Sequence, residues 1–499
     1  MSRAVLSYDE LPYGSRAIRE SHPAYLAAVA RLFGLDAPAP ETARVLELGC
    51  AEGGNLLPMA LAAPGAAFLG VDLSARQVET GEARRATLGL SNAALRVADV
   101  ATFDPGPGSF DYVVAHGLYS WVPPPVGEAI LALVGRVLSP NGVAYVSYNT
   151  FPGWHLRGLV RDLLLRGTAS VPNPEERISR ARDLLSFVAA NARDRSRAYG
   201  EALRDALSQF SRYDDARLFH EWLERENRPV WFLDFTARAA RHGLTPLADA
   251  RLAAMPMGRV KPDVDDLLSS HASGRLEKEE LLDVLRNRTF RQTLLARVAP
   301  PGREEPDPAA LDGLSFTTEL VPLPGEGPAT AFKGPAGSLS TDDPRLVAAL
   351  QALHAAAPRV LSLAELAPGA TGELRPALLR CVVAGLVESR AGQVPCVATA
   401  GASPVASPLA RLEAAEGPLV TSLAHRNVEL DPAARHLLQE LDGRPREEIA
   451  ASLALRLVRE GLLTGPGGAA PADEDARALV AEHLGDALAS LARLALLVR

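Results

Sequence analysis

Residues 45–54 read VLELGCAEGG, an apolar run that breaks into glycines with one acid, Glu47, two positions before Gly49. Two further apolar runs also stop at acids: Asp72 in GVDLS, 23 residues after Gly49, and Asp99 in VADV. A turn built from Gly49, Gly53 and Gly54 lets a ligand approach the backbone closely, because no side chain stands in the way. A dinucleotide fold needs GxGxxG, with its second glycine clearing a pyrophosphate. Here that position is Ala51, in the register ExGxxxG, and the adjacent acid would repel a phosphate. It would attract a cation.

One cofactor satisfies all three acids. S-adenosylmethionine has no phosphate and carries a sulfonium and an α-ammonium, which Glu47 beside the turn would meet. Asp72 is placed to accept both ribose hydroxyls, and Asp99 to meet the adenine amino group. Leu73 and Val100 supply apolar walls, and Gly49, Cys50 and Gly53 line the turn. Cys50 has no partner base in view, so it is read as lining and not as a nucleophile. Each match alone fits a generic α/β turn; three in order outline one ligand.

Such a ligand needs a parallel sheet to hold it. Strands are expected at 43–48, 66–72, 94–99, 110–116 and 142–148, alternating with helices at 54–63, 74–88 and 126–138. That alternation predicts an α/β, Rossmann-like doubly wound sheet. A leading helix is read at 21–34, with Ser21 as cap, Pro23 in the first turn and Gly34 at its end. The expected domains are 1–165 (S-adenosylmethionine-binding), 166–300 (helical, regulatory or substrate-contacting, with 244–252 returning to the first sheet), 311–400 and 401–499. The last two read as winged-helix-like modules, with AGLVE and EGLLT ending equivalent helices and a final helix at 477–498.

Loops after the fourth and fifth strands, HGLYSWVP and NTFPGW, fall at the sheet's C-terminal edge, where ligands of this architecture bind. They offer His116, Tyr119, Trp121 and Asn149 as catalytic candidates, His116 also lying beside the cofactor, and Trp154 as an acceptor contact. Tyr8 and Tyr13, ahead of the leading helix, are read as a lid on the acceptor. Aromatic faces can hold a lysine stem or ammonium by attraction of roughly 0.5 to 2 kcal/mol.

Composition narrows the classes. The chain has 499 residues, 47% hydrophobic and 22% charged, with net charge −8, which argues against a general nucleic-acid binder. Three scattered cysteines, Cys50, Cys381 and Cys396, indicate neither a disulfide framework nor a zinc ribbon. The start shows no signal-peptide pattern and no run is long enough to span a membrane, so a cytoplasmic protein is expected. HEWLE (220–224) begins like the zinc signature HExxH but has Glu224 where the second histidine belongs, and is read as a solvated helix face. No metal is expected.

A resemblance extends this reading. AHGLYSWVP (115–123), SYNTFPGW (147–154), FHEWLERENRPVWFLDF (219–235) and LRNRTFRQTLL (285–295), with SYDELPY (7–13), resemble segments of bacterial class I methyltransferases that carry a methyltransferase regulatory domain. That group includes rickettsial-type lysine methyltransferases acting on outer-membrane proteins. The resemblance implies a catalytic domain, a regulatory domain and N-methylation of lysine side chains on a protein acceptor. A small-molecule N- or O-methyltransferase is the alternative within enzymes. A non-catalytic or DNA-binding regulator is the alternative outside them, and retention on duplex DNA at low salt discriminates it.

Overall fold

A computed structural model of the chain describes residues 11, 14–192, 197–257, 262–297, 304–325, 329–369, 371–464, 469 and 471–498. Tyr8 and Tyr13 lie outside the described residues. The centre is a seven-stranded sheet: β1 (Arg44–Leu48), β2 (Ala67–Asp72), β3 (Ala93–Val97), β4 (Phe110–Ala115), β5 (Leu138–Asn149), β6 (Thr245–Asp249) and β7 (Phe290–Ala296). Its order is β3-β2-β1-β4-β5-β7-β6. Strands β3 to β5 run parallel through β1, and β7 is antiparallel to both its neighbours. Continuous apolar strands suit a sheet covered on both faces, and every residue of β4 is buried.

The five parallel strands stand where alternation put them. Strand β6 matches the expected return near 244–252, whereas β7 belongs to a stretch the sequence reading gave to helices. Its signal is masked by Arg291 within it and Arg288 just before it. Arg291 is 1% exposed, yet it sits mid-strand because Glu279 and Asp283, on the helix Arg275–Arg286, reach it at 3.0 Å and 2.5 Å. Its guanidinium also lies over the Phe232 ring. Two carboxylates and an aromatic face replace the water that a buried cation loses.

The leading helix is Pro23–Leu32, and its N-cap is His22, whose Nδ1 accepts from Ala24 N, not Ser21 as the sequence suggested. Ser21 is drawn elsewhere, to Asn55. This helix is apolar nearly all round, with Leu26, Ala28, Val29, Ala30 and Leu32 at most 1% exposed. A helix of that kind has to be covered on every side. One side packs on the sheet and the other on the module beyond residue 304, so a single core joins Val45 and Tyr145 to Phe316, Leu350 and Leu378. The opposite sheet face is covered by the helices Pro124–Val137 and Phe232–Ala240.

Helices Gly153–Thr168, Pro174–Asn191 and Arg197–Phe210 form a separate core with Phe219, Trp222 and Leu223. HEWLE is therefore not a solvated face: it forms a buried π-helical turn whose His220 meets the Leu11 carbonyl at 2.6 Å. Beyond the linker, the helices Pro344–Ala356, Leu363–Leu366 and Thr371–Val383 lead into the strand Glu388–Arg390. The final module joins the helices Pro408–Glu416, Pro432–Glu440, Arg446–Arg459 and Asp473–Arg493 to a hairpin, Leu419–Thr421 with Asn427–Glu429. Gly385 and Gly461, in AGLVE and EGLLT, both take left-handed φ after their helices. Among the described residues no helix is long and apolar enough to cross a membrane.

Arg291→Met should lower stability by about 3 to 5 kcal/mol, because it leaves Glu279 and Asp283 buried without their cation. Denaturant unfolding followed by far-ultraviolet circular dichroism checks this, and a wild-type midpoint would refute it.

Candidate active site

Gly49 and Gly53 adopt φ of +72° and +77°, so the chain reverses out of β1 in a conformation that disfavours side chains. Val71 O accepts from Gly49 N and Cys50 N at 2.8 and 3.2 Å, and Cys50 O accepts from Gly53 N at 2.9 Å. Asp72 Oδ2 accepts from Ala51 N, and Ser15 Oγ from Gly54 N, both at 2.9 Å. These five amides are all committed within the protein. A phosphate-binding loop needs such donors free, so the turn offers a bare surface in place of an anion cradle. A Cβ at Gly54 would lie 2.2 Å from Ser15 O, and one at Gly49 3.3 Å from Leu118 Cδ1. The N-terminal arm and the loop after β4 thus close on the turn from two sides.

Glu47, 4% exposed, ends β1 beside this turn. Its Oε1 accepts from Asn55 Nδ2 at 2.8 Å, while Oε2 is buried with no partner among the described residues. Burial, reinforced by the charge of Asp72 and opposed by the Asn55 hydrogen bond, pushes its carboxyl up to about 8. An arriving cation would complete the orphaned oxygen and ionise the group. Asp72 is half-exposed, and its other oxygen accepts from Ser74 N at 2.9 Å. Leu73 and Val97 are 49% and 45% exposed at the ends of β2 and β3, where Asp72 and Val97 are register partners. Apolar side chains left open beside an acid suit a nucleoside. Asp99 lies exposed two residues past β3, accepting from Ala101 N at 2.9 Å, with Val100 half-buried next to it. These residues fit S-adenosylmethionine.

Cys50 is a correction. Its amide and carbonyl are both used inside the turn, and its side chain points at β2, where a Cβ on Gly70 would meet Sγ at 2.6 Å. Burial, then the charges of Glu47 and Asp72, raise its thiol well above the usual range. It packs the turn from beneath.

On the acceptor side, His116 ends β4 with Nδ1 2.9 Å from the Tyr145 hydroxyl, and Gln292 Nε2 donates to that hydroxyl at 2.7 Å. The three side chains form one run of hydrogen bonds across β4, β5 and β7. Burial lowers His116 to about 4, so the ring is neutral at pH 7. Asn149, 4% exposed, donates Nδ2 to Asn227 Oδ1 at 2.9 Å, which leaves its carbonyl oxygen to accept. Trp121 and Trp154 meet edge to face at 6.4 Å, and Arg157 lies over Trp154. Tyr119 is a second correction: it is 4% exposed, packed against Tyr148 and Phe235, with its hydroxyl bonded to Arg238. It is a core residue under the sheet and reaches no acceptor.

Sequence reasoning missed Ser15, Asn55, Tyr145, Gln292 and Phe290, the last stacked edge-on to His116 at 6.0 Å. Asn55 stands at the N-cap of the helix Leu56–Ala62 and reads as an ordinary cap, yet its side chain caps nothing and turns to Glu47. Tyr145 and Gln292 are paired across β5 and β7 only once β7 is known to be a strand. Among the described residues no group of three or more His, Cys, Asp or Glu could hold a metal ion.

Residues 45–142 match the methyltransferase domain family, 214–297 the methyltransferase regulatory domain family, and 403–496 the PKMT C-terminal winged helix domain family. The uncharacterized protein RP789 of Rickettsia prowazekii is 38% identical over 288 residues, 58% of this chain and 52% of that relative, so the match spans about half of its length. RP028 of the same organism is 35% identical over 236 residues, 47% of this chain and 94% of that relative. The structure of PKMT2 from Rickettsia typhi is similar over 98% of this chain and 100% of that one, with TM-score 0.86 and 26% identity. The same protein in complex with AdoHcy gives 0.85 and 27%. The chain belongs to the class I S-adenosylmethionine-dependent methyltransferases, in the branch that adds a regulatory domain and a C-terminal winged helix to the catalytic sheet. Its cofactor is S-adenosylmethionine.

Two outcomes follow for the cofactor. Asp72→Ala should weaken S-adenosylhomocysteine binding by about 1 to 3 kcal/mol in calorimetry, through lost charged hydrogen bonds; an unchanged affinity would remove Asp72 from the site. Glu47 must ionise to meet an ammonium, so binding at pH 7 should release a proton, read as heats that depend on the buffer's ionisation enthalpy, and Glu47→Gln should abolish that dependence. The sign for stability follows: the folded chain keeps a proton the unfolded chain has lost, so the unliganded protein loses stability through Glu47 as pH climbs from the ordinary carboxylate range through about 8.

Proposed function

We propose that this protein transfers methyl groups from S-adenosylmethionine to lysine side chains of a protein acceptor. The observation that carries the reading is the likeness to PKMT2 along almost the whole chain, including both modules beyond the sheet. Relatives named as small-molecule methyltransferases match less of this chain, from 21% for a ubiquinone biosynthesis O-methyltransferase of Methylococcus capsulatus to 42% for a trans-aconitate 2-methyltransferase of Methylobacterium radiotolerans. A shared cofactor-binding fold does not fix the acceptor class.

When bound, the cofactor supplies an electrophilic methyl group on a good leaving group. The chain's part is alignment and desolvation. A lysine nitrogen attacks the methyl carbon as the bond from carbon to sulfur breaks, so the amine has to arrive neutral, and the methylammonium formed releases one proton to solvent. The Asn149 carbonyl accepts an amine hydrogen and aims the lone pair. His116, already neutral and held by Tyr145, serves as a fixed polar wall and not as a base. The loops carrying Trp121 and Trp154 flank the apolar stem of the lysine. Exclusion of water there favours the uncharged amine.

Labelled cofactor incubated with a lysine-rich protein, with the same protein after chemical acetylation of its lysines, and with a bacterial small-molecule extract tests this. Methyl-lysine found by mass spectrometry in the first sample alone is expected; label confined to the extract would overturn the protein acceptor. The rate should rise with pH as the acceptor amine deprotonates. Because His116 titrates near 4, His116→Asn should lower the rate without removing any limb of the profile between about pH 6 and 8.

A further inference from the structure

The second partner of the Glu47 carboxylate's support comes from the other end of the chain. Asn55, which holds Glu47 Oε1, is itself held by four groups. Ile18 N donates to Asn55 Oδ1 at 2.8 Å. A backbone N–H can only donate, so the oxygen of the amide has to face it, and Nδ2 has to face Glu47 and Ser21 Oγ, the latter at 3.0 Å. His425 Nε2 meets the same Oδ1 at 2.9 Å, and since Oδ1 only accepts, the imidazole donates there.

His425 sits at the tip of the hairpin Leu419–Thr421 with Asn427–Glu429, in the final module, 370 positions from Asn55. It is 2% exposed and takes a left-handed φ of 60°. Its ring meets the His22 ring edge-on at 5.1 Å. Asn427 Nδ2 donates to Ala17 O at 2.9 Å, and Arg426 pairs with Glu319 and Glu388. The tip therefore clasps residues 17–22 of the N-terminal arm and passes through it to the amide behind the catalytic sheet's first acid. Burial keeps this imidazole neutral, with its side chain pushed down to about 3. It acts as a plain donor.

We propose that the hairpin tip of the C-terminal module is part of the cofactor site, with His425 a positioning residue that locks the Asn55 amide so that Glu47 presents one free oxygen to the methionine end of S-adenosylmethionine. The inference rests on the reading of Glu47 as the acid that meets that end. Without the His425 donor, Oδ1 loses a partner in a buried setting, the amide is held less firmly, and the carboxyl it supports can turn away. The module that distinguishes this branch would then be needed for cofactor affinity as well as for any contact with an acceptor.

Two substitutions separate this role from simple packing. His425→Gln keeps an amide N–H for Asn55 Oδ1, whereas His425→Leu removes it, and both lose the contact with His22. S-adenosylhomocysteine binding by calorimetry should weaken about tenfold in His425→Leu and stay within about twofold of wild type in His425→Gln, as expected for one buried hydrogen bond. Thermal midpoints without ligand should fall alike in both. If the two variants bind equally, whether tightly or weakly, the positioning role is overturned. Glu47→Gln marks where the failure lies: if it binds like wild type, the carboxylate reading falls and this inference with it, whereas a weakened Glu47→Gln beside equal His425 variants removes only the link to the hairpin. In the wild-type chain the ligand should also slow amide exchange across residues 419–429. Exchange there that ignores the ligand overturns the inference regardless of the variants.

Discussion

A carboxyl group buried beside a glycine turn, with one oxygen satisfied and the other not, sets the terms for the rest of this structure. Glu47 is too buried to be solvated and too close to Asp72 to ionise easily. A carboxyl left that way is a strained tenant of the core unless a cation arrives. The turn's geometry, the arm that crosses it and the amide of Asn55 all serve to hold this acid in place, with its second oxygen buried and unpartnered. The committed amides of the turn complete the selection, because they deny a phosphate the donors it would need. Charge sign and donor supply together favour a sulfonium nucleoside over a dinucleotide.

The same logic, that a buried polar group has to be fully partnered or functional, recurs away from the site. Arg291 is partnered twice over and stacked on Phe232, so it fixes the helix Arg275–Arg286 to the one antiparallel strand and is structural. His116 is partnered through Tyr145, which Gln292 holds in turn. Glu47 Oε2 is among the buried atoms left without a partner, and it lies beside the turn where the cofactor belongs.

Local pattern revealed a good part of this. Parallel strands buried on both faces announce themselves as short apolar runs, and acids at their ends stand out against them, so Glu47, Asp72 and Asp99 could be found by reading along the chain. Strand β7 could not, because Arg291 within it and Arg288 just before it break the apolar pattern and are held by carboxylates from other elements. Tyr119 and Cys50 were misjudged for a related reason: position in a functional loop says nothing about which way a side chain turns, and both turn into the core. HEWLE looked solvated because its charges are visible in the sequence, while the helices that bury its His and Trp are not adjacent to it. The partnership of Asn55 with His425 spans 370 positions and leaves no periodic trace at all.

The central claim is that Glu47 and Asp72 divide one cofactor between them, the first taking its charged amino-acid end and the second its ribose. A crystal structure with S-adenosylhomocysteine tests it most directly. The expected density places the ligand's ammonium within hydrogen-bonding distance of Glu47 Oε2 and its ribose hydroxyls on Asp72. A ligand bound at the same sheet edge with Glu47 Oε2 still unpartnered, or bound elsewhere, would contradict it.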